Sequence, residues 1–139
     1  MVFGVFDRLH DGHRAFFKQA GQYGYELIAV VARDVAVFQL KNKKPFQNER
    51  SRLAFVQRVR SVAHAALGDL KSGTYDIIRR WEPDIICLGY DQKSLERDLK
   101  KRIREGGFEP VRLIRLRSFQ PRRFHTSILQ KKWYTKNDG

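Results

Sequence analysis

Two histidines stand three residues apart in residues 4–13, whose sequence is GVFDRLHDGH. Apolar residues precede this segment and others recur at helical spacing over 15–20, so His10 and His13 are predicted to lie in a turn between a strand and a helix. Free N–H groups and positive partial charge at a helix N-terminus suit a phosphoanion. Gly12 lets the main chain approach a ligand, and imidazole N–H groups can donate to phosphoryl oxygens as these gain charge. The segment therefore predicts a phosphate site.

Two alternatives exist for such a histidine pair, a plain turn with half-buried rings and a zinc site. The Gly-x-Phe-Asp lead and the internal Gly12 favour a functional site over a plain turn. A structural zinc site needs more clustered ligands, whereas the single cysteine, Cys87, lies far away in the apolar run of residues 85–88. We therefore expect no metal site made by the protein, and we interpret His64, in a predicted core strand, as structural.

Two further segments carry polar side chains beside predicted strand and helix ends. Residues 88–92 (LGYDQ) supply a glycine, an aromatic ring, a carboxylate and an amide, a set that can stack on a base and hydrogen-bond a ribose. The alternative there is a turn with a capping Asp91. Residues 39–45 (QLKNKKP) are predicted to form a mobile basic loop, although lysines so close together are more often plain surface charge.

Apolar strands alternate with helices along the chain, without a repeat or a low-complexity linker. This order predicts one α/β domain over residues 1–139, Rossmann-like and three-layered, with a mainly parallel five-stranded sheet. The predicted strands are 1–3, 27–32, 62–67, 85–88 and 111–116, and the predicted helices follow His13, follow Asn48, span 75–81 and 94–104, and begin at Thr126. Right-handed crossovers would place the loops after the strands at one sheet edge, where ligands bind.

The charge is strongly positive, with 28 Lys and Arg against 15 Asp and Glu and a formal net charge of +13. Partners are therefore expected to be anionic, but the charge does not choose among nucleotides, phosphorylated metabolites and nucleic acid. A solvated surface is the common use of such residues. No apolar run approaches the roughly 20 residues needed to cross a bilayer, so no membrane is expected. The lone Cys87 favours a reducing, cytoplasmic setting.

Residues 4–13 resemble the G-x-F-D-x-x-H-x-G-H signature of the cytidylyltransferase-like nucleotidyltransferases, which transfer a nucleoside monophosphate from a triphosphate to a phosphorylated acceptor. Val5 departs from the pattern, because most members have Thr there. Residues 88–92 resemble the matching loop of archaeal-type FAD synthetases and of glycerol-phosphate cytidylyltransferases. Residues 122–128 are similar to the closing S-[ST]-[ST]-x-I motif, in which Thr126 keeps its hydroxyl position.

This resemblance implies a role for each matched residue. The residues expected to act in catalysis are His10, His13 and Lys44. Those expected to bind the nucleotide are Gly4, Val5, Phe6, Asp7, Gly12, Gly89, Tyr90, Asp91, Gln92, Arg123, His125, Thr126 and Ser127. Those expected to bind the acceptor or phosphate are Lys41, Lys43 and Arg52, with either Arg122 or Arg123 adding a phosphate contact. Mg²⁺ bound mainly through the triphosphate is the expected cofactor, and a homodimer is the expected assembly.

Three hypotheses for the function remain, and the first two differ in the nucleobase and the acceptor. The VARD sequence of residues 31–34 and the LGYDQ loop resemble the archaeal-type FAD synthetases, which adenylylate FMN with ATP. A glycerol-phosphate cytidylyltransferase using CTP is the alternative, because base choice rests largely on main-chain contacts. The third hypothesis is a catalytically weakened relative that binds nucleotide or RNA, suggested by Val5 and by the altered closing motif. The residues that argue against it are Asp7, His10, Gly12, His13, Lys44, Gly89 and Asp91.

Overall fold

Five short strands alternate with five helices in the computed structural model, which describes residues 1–118. The strands are β1 (Val2–Gly4), β2 (Ile28–Val31), β3 (His64–Leu67), β4 (Ile85–Leu88) and β5 (Arg112–Arg115). The helices are α1 (Asp11–Gly21), α2 (Asp34–Lys41), α3 (Glu49–Gln57), α4 (Asp76–Trp81) and α5 (Lys93–Arg104). The helix predicted from Thr126 lies outside the described residues.

The strands pair in parallel, as predicted, but in two sheets rather than one. One sheet has the order β1-β2-β3, and the other pairs β4 with β5. Met1 joins them, because its ammonium donates to Ile85 O at 2.7 Å and its carbonyl accepts from Cys87 N at 3.0 Å. The prediction of a single five-stranded sheet is therefore wrong. Strand β1 is only three residues long, and its regular pairing runs along β2. All five strands still direct their carboxyl ends to one edge.

Helices cover both faces of the strands, which confirms the predicted three-layer α/β architecture. Phe17 of α1 and Val56 of α3 pack in one apolar cluster, whereas Ile77 of α4 and Leu99 of α5 pack in another. Alternate residues of β2 point into opposite clusters, as the pleat of a strand requires. The apolar run around Val30 is therefore buried on both faces, as is typical of a central parallel strand.

Helix α2 was not predicted. Its apolar residues make no buried stripe, because Val35, Phe38 and Leu40 are exposed and Val37 is its buried residue. The periodicity that marks an amphipathic helix is therefore missing. The expected loop at 39–45 is wrong in its first part, since residues 39–41 complete α2 and the chain leaves the helix at Asn42, in the left-handed conformation with φ 55°.

Strand β3 is shorter than predicted and lies at the sheet edge. His64 opens it with a side chain that is 44% exposed and an Nε2 atom 3.2 Å from a carboxylate oxygen of Glu26. Its predicted place in the core is therefore wrong.

Several local predictions are confirmed. The Oδ1 atom of Asn48 accepts from Ser51 N at 2.9 Å and caps α3. Helix α5 ends just before Gly106, whose φ of 73° suits a glycine. Cys87 is buried and makes no disulfide. In the described part of the chain, no helix combines the length and the apolar character needed to span a membrane.

Candidate functional site

The histidine turn, defined here as residues 5–13, leaves β1 in an unusual backbone conformation. Phe6 and Arg8 have φ values of 55° and 49°, a left-handed region that residues with a Cβ rarely adopt. The ring of Phe6 folds back over Gly4, where a Cβ would lie 2.6 Å from a ring carbon. The centroid of the same ring lies 4.9 Å from the ring centroid of Phe17. A glycine and a buried aromatic side chain therefore hold this strained turn in place.

The two histidines form the start of α1. His10 is the N-cap residue, and its Nδ1 atom accepts from Gly12 N at 3.0 Å. The Nδ1 atom of His13 accepts from His10 N at 3.3 Å, which completes a reciprocal capping box. The ring centroids lie 3.9 Å apart. The H-x-x-H spacing thus places both rings side by side at a helix N-terminus.

These capping bonds set the chemistry of the rings. Because each Nδ1 atom accepts a main-chain hydrogen, the neutral ring carries its own hydrogen on Nε2. Burial lowers the pKa of His10, an effect that Asp11 opposes and Arg14 reinforces, so the ring is neutral at pH 7. Both Nε2 atoms are shielded from solvent. Two N–H donors at a helix N-terminus are suited to oxygens on which negative charge builds.

The lysine segment, defined here as residues 42–48, is tied to the histidine turn through Asp7. The two oxygens of Asp7 accept from Phe46 N at 2.8 Å and from Gln47 N at 3.0 Å. The Oε1 atom of Gln47 in turn accepts from Arg8 N at 2.9 Å. Chain segments about forty residues apart in the sequence are therefore joined by side-chain to main-chain bonds.

Arg52 of α3 is fully buried and holds several loops at once. Its NH1 group donates to Val5 O and to Ala32 O, each at 2.8 Å. Its Nε donates to Gln47 O at 3.0 Å, and its NH2 donates to a carboxylate oxygen of Asp34 at 2.6 Å. These bonds support a positioning role for Arg52. The direct phosphate contact expected of this residue stays a prediction.

Helices α2 and α3 begin side by side and cap each other. The Oε1 atom of Glu49 accepts from Asp34 N at 2.9 Å, and the Oδ2 atom of Asp34 accepts from Glu49 N at 3.1 Å. Arg33 donates to Glu49 Oε2 at 2.9 Å. The carboxylates of Asp34 and Glu49 thus each accept from a main-chain N–H group at the start of a helix and from an arginine. These bonds hold together the starts of α2 and α3, and the lysines lie in the chain between them.

The loop after β4 is joined to β1 by a single amide side chain. Gln92 accepts from Gly89 N at 2.8 Å through Oε1 and donates to Phe3 O at 2.9 Å through Nε2. A Cβ at Gly89 would lie 2.9 Å from Asp91 Oδ1 and 3.5 Å from Phe16. The loop therefore lies beside α1, and a Cβ at Gly89 would displace the Asp91 carboxylate.

The structure brings together three of the four segments that the sequence singled out. Of the residues predicted for the site in these three segments, the exposed ones are Lys41, Lys43, Lys44, Tyr90 and Asp91. The fourth segment lies outside the described residues, and its predicted members are Arg122, Arg123, His125, Thr126 and Ser127. Contact with a ligand stays a prediction for every residue of the site.

Sequence reasoning missed the residues that connect these segments. Gln47 and Glu49 were not singled out, although an acidic residue in the first turn after the predicted cap Asn48 is a recognisable signal. Asp34 entered only through the VARD resemblance, yet a carboxylate just after a buried strand is itself a candidate. The contact of Phe46 with Arg8 has no signal in the sequence, because it depends on how the two loops meet.

Known proteins resemble this chain over most of its length. The model of the family described as cytidylyltransferase-like matches residues 1–132. An FAD synthase of Aciduliprofundum boonei is 42% identical over 119 residues, covering 86% of this chain and 78% of that protein. An FAD synthase of Thermoplasma volcanium is 36% identical over 135 residues, covering 95% and 91%. A crystal structure described as the lipopolysaccharide core biosynthesis protein of Thermoplasma volcanium superposes with a TM-score of 0.77 at 38% identity, covering 86% of this chain and 96% of the other.

Proposed function

The chain belongs to the cytidylyltransferase-like family, and from that premise we propose that it transfers AMP from ATP to FMN, giving FAD and pyrophosphate. The observation that carries this choice of substrates is the 42% identity to an FAD synthase over 86% of the chain. The histidine turn at a helix N-terminus supplies the matching chemistry, because its donors suit a phosphoryl group under attack.

In the proposed reaction an oxygen of the FMN phosphate attacks the α-phosphorus of ATP in line. The bond from that phosphorus to the bridging oxygen of the β-phosphate breaks, and pyrophosphate leaves with the electron pair. His10 and His13 donate their Nε2 hydrogens to the α-phosphate oxygens, where charge grows in the transition state. Lys44 contacts the leaving pyrophosphate. The chain contributes position and electrostatics, and no covalent enzyme intermediate is needed.

The segments behind the donors make this arrangement rigid. The histidines are fixed by their own capping bonds, and the lysine segment is fixed by Asp7 and by Arg52. Preorganised donors need no reorganisation when charge develops, which is the condition for large electrostatic stabilisation.

We propose Mg²⁺ as the ion that accompanies the triphosphate and neutralises phosphate charge. Within residues 1–118, no three His, Cys, Asp or Glu side chains converge as a protein-built cation site would. Asp7 already accepts a main-chain hydrogen on each oxygen. Mg²⁺ keeps several waters and binds substrate phosphates with few protein ligands, so this donor set fits an ion that arrives with ATP.

A homodimer is part of the proposal. Helix α2 supports it, since Val35, Phe38 and Leu40 leave apolar surface exposed there. Sedimentation equilibrium tests this assembly, and a monomeric mass would contradict it.

A substrate matrix tests the reaction. ATP and CTP are each paired with FMN and with glycerol 3-phosphate, and pyrophosphate release is followed together with chromatography of the nucleotide product. We expect ATP with FMN to be fastest and to yield FAD. A faster reaction of CTP with glycerol 3-phosphate would make the chain a cytidylyltransferase, and the absence of release with every pair would favour a catalytically weakened relative.

A further inference from the structure

An aromatic ring stands exposed next to the histidine turn, with a cation on one side of it. Phe46 of the lysine segment is 76% exposed. The guanidinium carbon of Arg8 lies 3.6 Å from the centroid of its ring, which is a cation–π contact. Since the guanidinium takes one face, the exposed surface belongs mainly to the opposite face and the edge. The ring therefore presents a flat apolar face that a ligand could cover.

Both partners of this stack are held by their main chains. Phe46 N donates to Asp7 at 2.8 Å, and Arg8 N donates to the side chain of Gln47 at 2.9 Å. Arg8 also keeps the left-handed conformation with φ 49°. A ring that is already positioned loses little freedom when a ligand stacks on it, so more of the contact free energy contributes to binding.

The ring lies close to the proposed site of phosphoryl transfer. Asp7, which holds Phe46, precedes His10 by three residues, and three residues of extended chain span at most roughly 10 Å. Lys44 precedes Phe46 by two residues. This upper limit for the main chain between Asp7 and His10 is comparable with the length of the ribityl chain that links the phosphate of FMN to its ring system.

Resting on the function proposed above, we propose that Phe46, backed by Arg8, is the platform on which the isoalloxazine ring of FMN stacks. Isoalloxazine is flat, broad and largely apolar on its faces, so it gains from an aromatic surface that an acceptor without a ring cannot use. The platform would thus select a flavin over a small phosphorylated alcohol. A second copy of the chain suits the site less, because Asp7, Arg8 and Lys44 surround this single ring with charge.

The test compares Phe46→Ala with a matched control, Phe55→Ala. Phe55 lies on α3, is 44% exposed and has the guanidinium of Arg58 5.8 Å from its ring centroid, but it belongs to none of the site segments. FAD formation is measured while FMN is varied at saturating ATP, and then while ATP is varied at saturating FMN. We expect Phe46→Ala to raise the KM for FMN about tenfold, the usual loss when a stacking ring is removed. The KM for ATP and kcat should stay near those of the parent, and Phe55→Ala should change none of the three.

Two more variants keep the test decisive. Phe46→Trp should restore the parental KM for FMN, because it keeps an aromatic face. If Phe46→Ala fails to fold, Phe46→Leu replaces it, with an increase in the KM for FMN still expected. A binding titration that follows the polarisation of FMN fluorescence provides a readout independent of turnover.

Each contrary result has a distinct meaning. A rise in the KM for ATP would place adenine on the ring and overturn the platform. An unchanged KM for FMN together with a lower assembly mass would assign Phe46 to a contact between copies and would also overturn it. If the parent enzyme converts FMN with neither ATP nor CTP, the proposed function itself is refuted. This result is seen before any variant is compared.

Discussion

The loops that follow β1 and β2 and the outer face of α5 and β5 both use arginine, in opposite ways. Arg52 is fully buried and donates to three main-chain carbonyls and one carboxylate, so it determines where neighbouring segments lie. Arg115 is 59% exposed and pairs with the buried carboxylate of Glu96, which also accepts from the exposed Lys100. The first arrangement organises a site, whereas the second balances surface charge. The net charge of +13 therefore includes both a buried arginine that positions loops and exposed arginines that pair at the surface.

The physical basis of the difference is solvation. A buried cation that loses its partners, or leaves its partners unsatisfied, is costly because water cannot replace it. An exposed ion pair exchanges protein contacts for water at little net change. Substitutions in the two regions should therefore differ in size and in what they disturb.

Arg52→Ala should produce the largest loss of stability. It leaves three carbonyls and the Asp34 carboxylate without their donor, so we expect the free energy of unfolding to fall by about 3–5 kcal/mol, as for a broken buried pair. Chemical denaturation measures this. Arg115→Ala is the matched control and should cost no more than about 1 kcal/mol. Equal losses in the two variants would break the comparison.

His13→Ala should leave the fold intact and nearly abolish the reaction. A donor aimed at transition-state charge typically contributes roughly 10²- to 10³-fold in rate, whereas its contribution to ground-state binding is smaller. We expect triphosphate binding, measured by calorimetry, to stay within about tenfold of the parent. A variant that retains nearly full turnover would remove His13 from the catalytic role and leave it a capping residue only.

The same comparison explains which parts of the fold and of the site could be predicted from the sequence. The histidine turn, the cap at Asn48 and the end of α5 are local patterns, in which residue types within a few positions decide the structure, and they were predicted. Helix α2 was missed because it has no apolar stripe, and the residue that caps it, Glu49, lies fifteen residues later in the sequence. The positioning bonds of Arg52 reach residues up to 47 positions away. Such long-range partners leave no periodic signal, so an arginine that organises the site looks in the sequence like any other.

Glu96→Gln sharpens the surface side of the comparison through pH. The hydrogen bonds from Arg115 and Lys100 lower the pKa of Glu96 from 4.5 to about 2. Because the folded pKa is depressed, its stabilisation is fully present above the unfolded pKa of 4.5 and is lost as the pH falls toward 2. At pH 7 the variant should be less stable than the parent by at most about 1 kcal/mol. Thermal unfolding at several pH values should show this difference shrink as the pH falls below 4.5 and vanish only below the folded pKa of about 2. A difference that persists below that pH would assign it to packing.

Binding to RNA should be the smallest effect, and it tests whether the exposed basic face is a site at all. Each phosphate contact to a single strand steepens the dependence of log K on log salt by about 0.7, so a polyanion site formed by the three arginines from Arg112 to Arg117 should show a slope of about 2. We expect instead weak binding of labelled single-stranded RNA that disappears between about 50 and 150 mM salt, because Arg115, in the middle of this face, already pairs with Glu96. ATP should compete for what remains, since the attraction is general for anions. Submicromolar affinity that survives at about 150 mM salt and resists ATP would reverse the comparison. The exposed face would then be the functional one, and the buried Arg52 network would only maintain the fold beneath it.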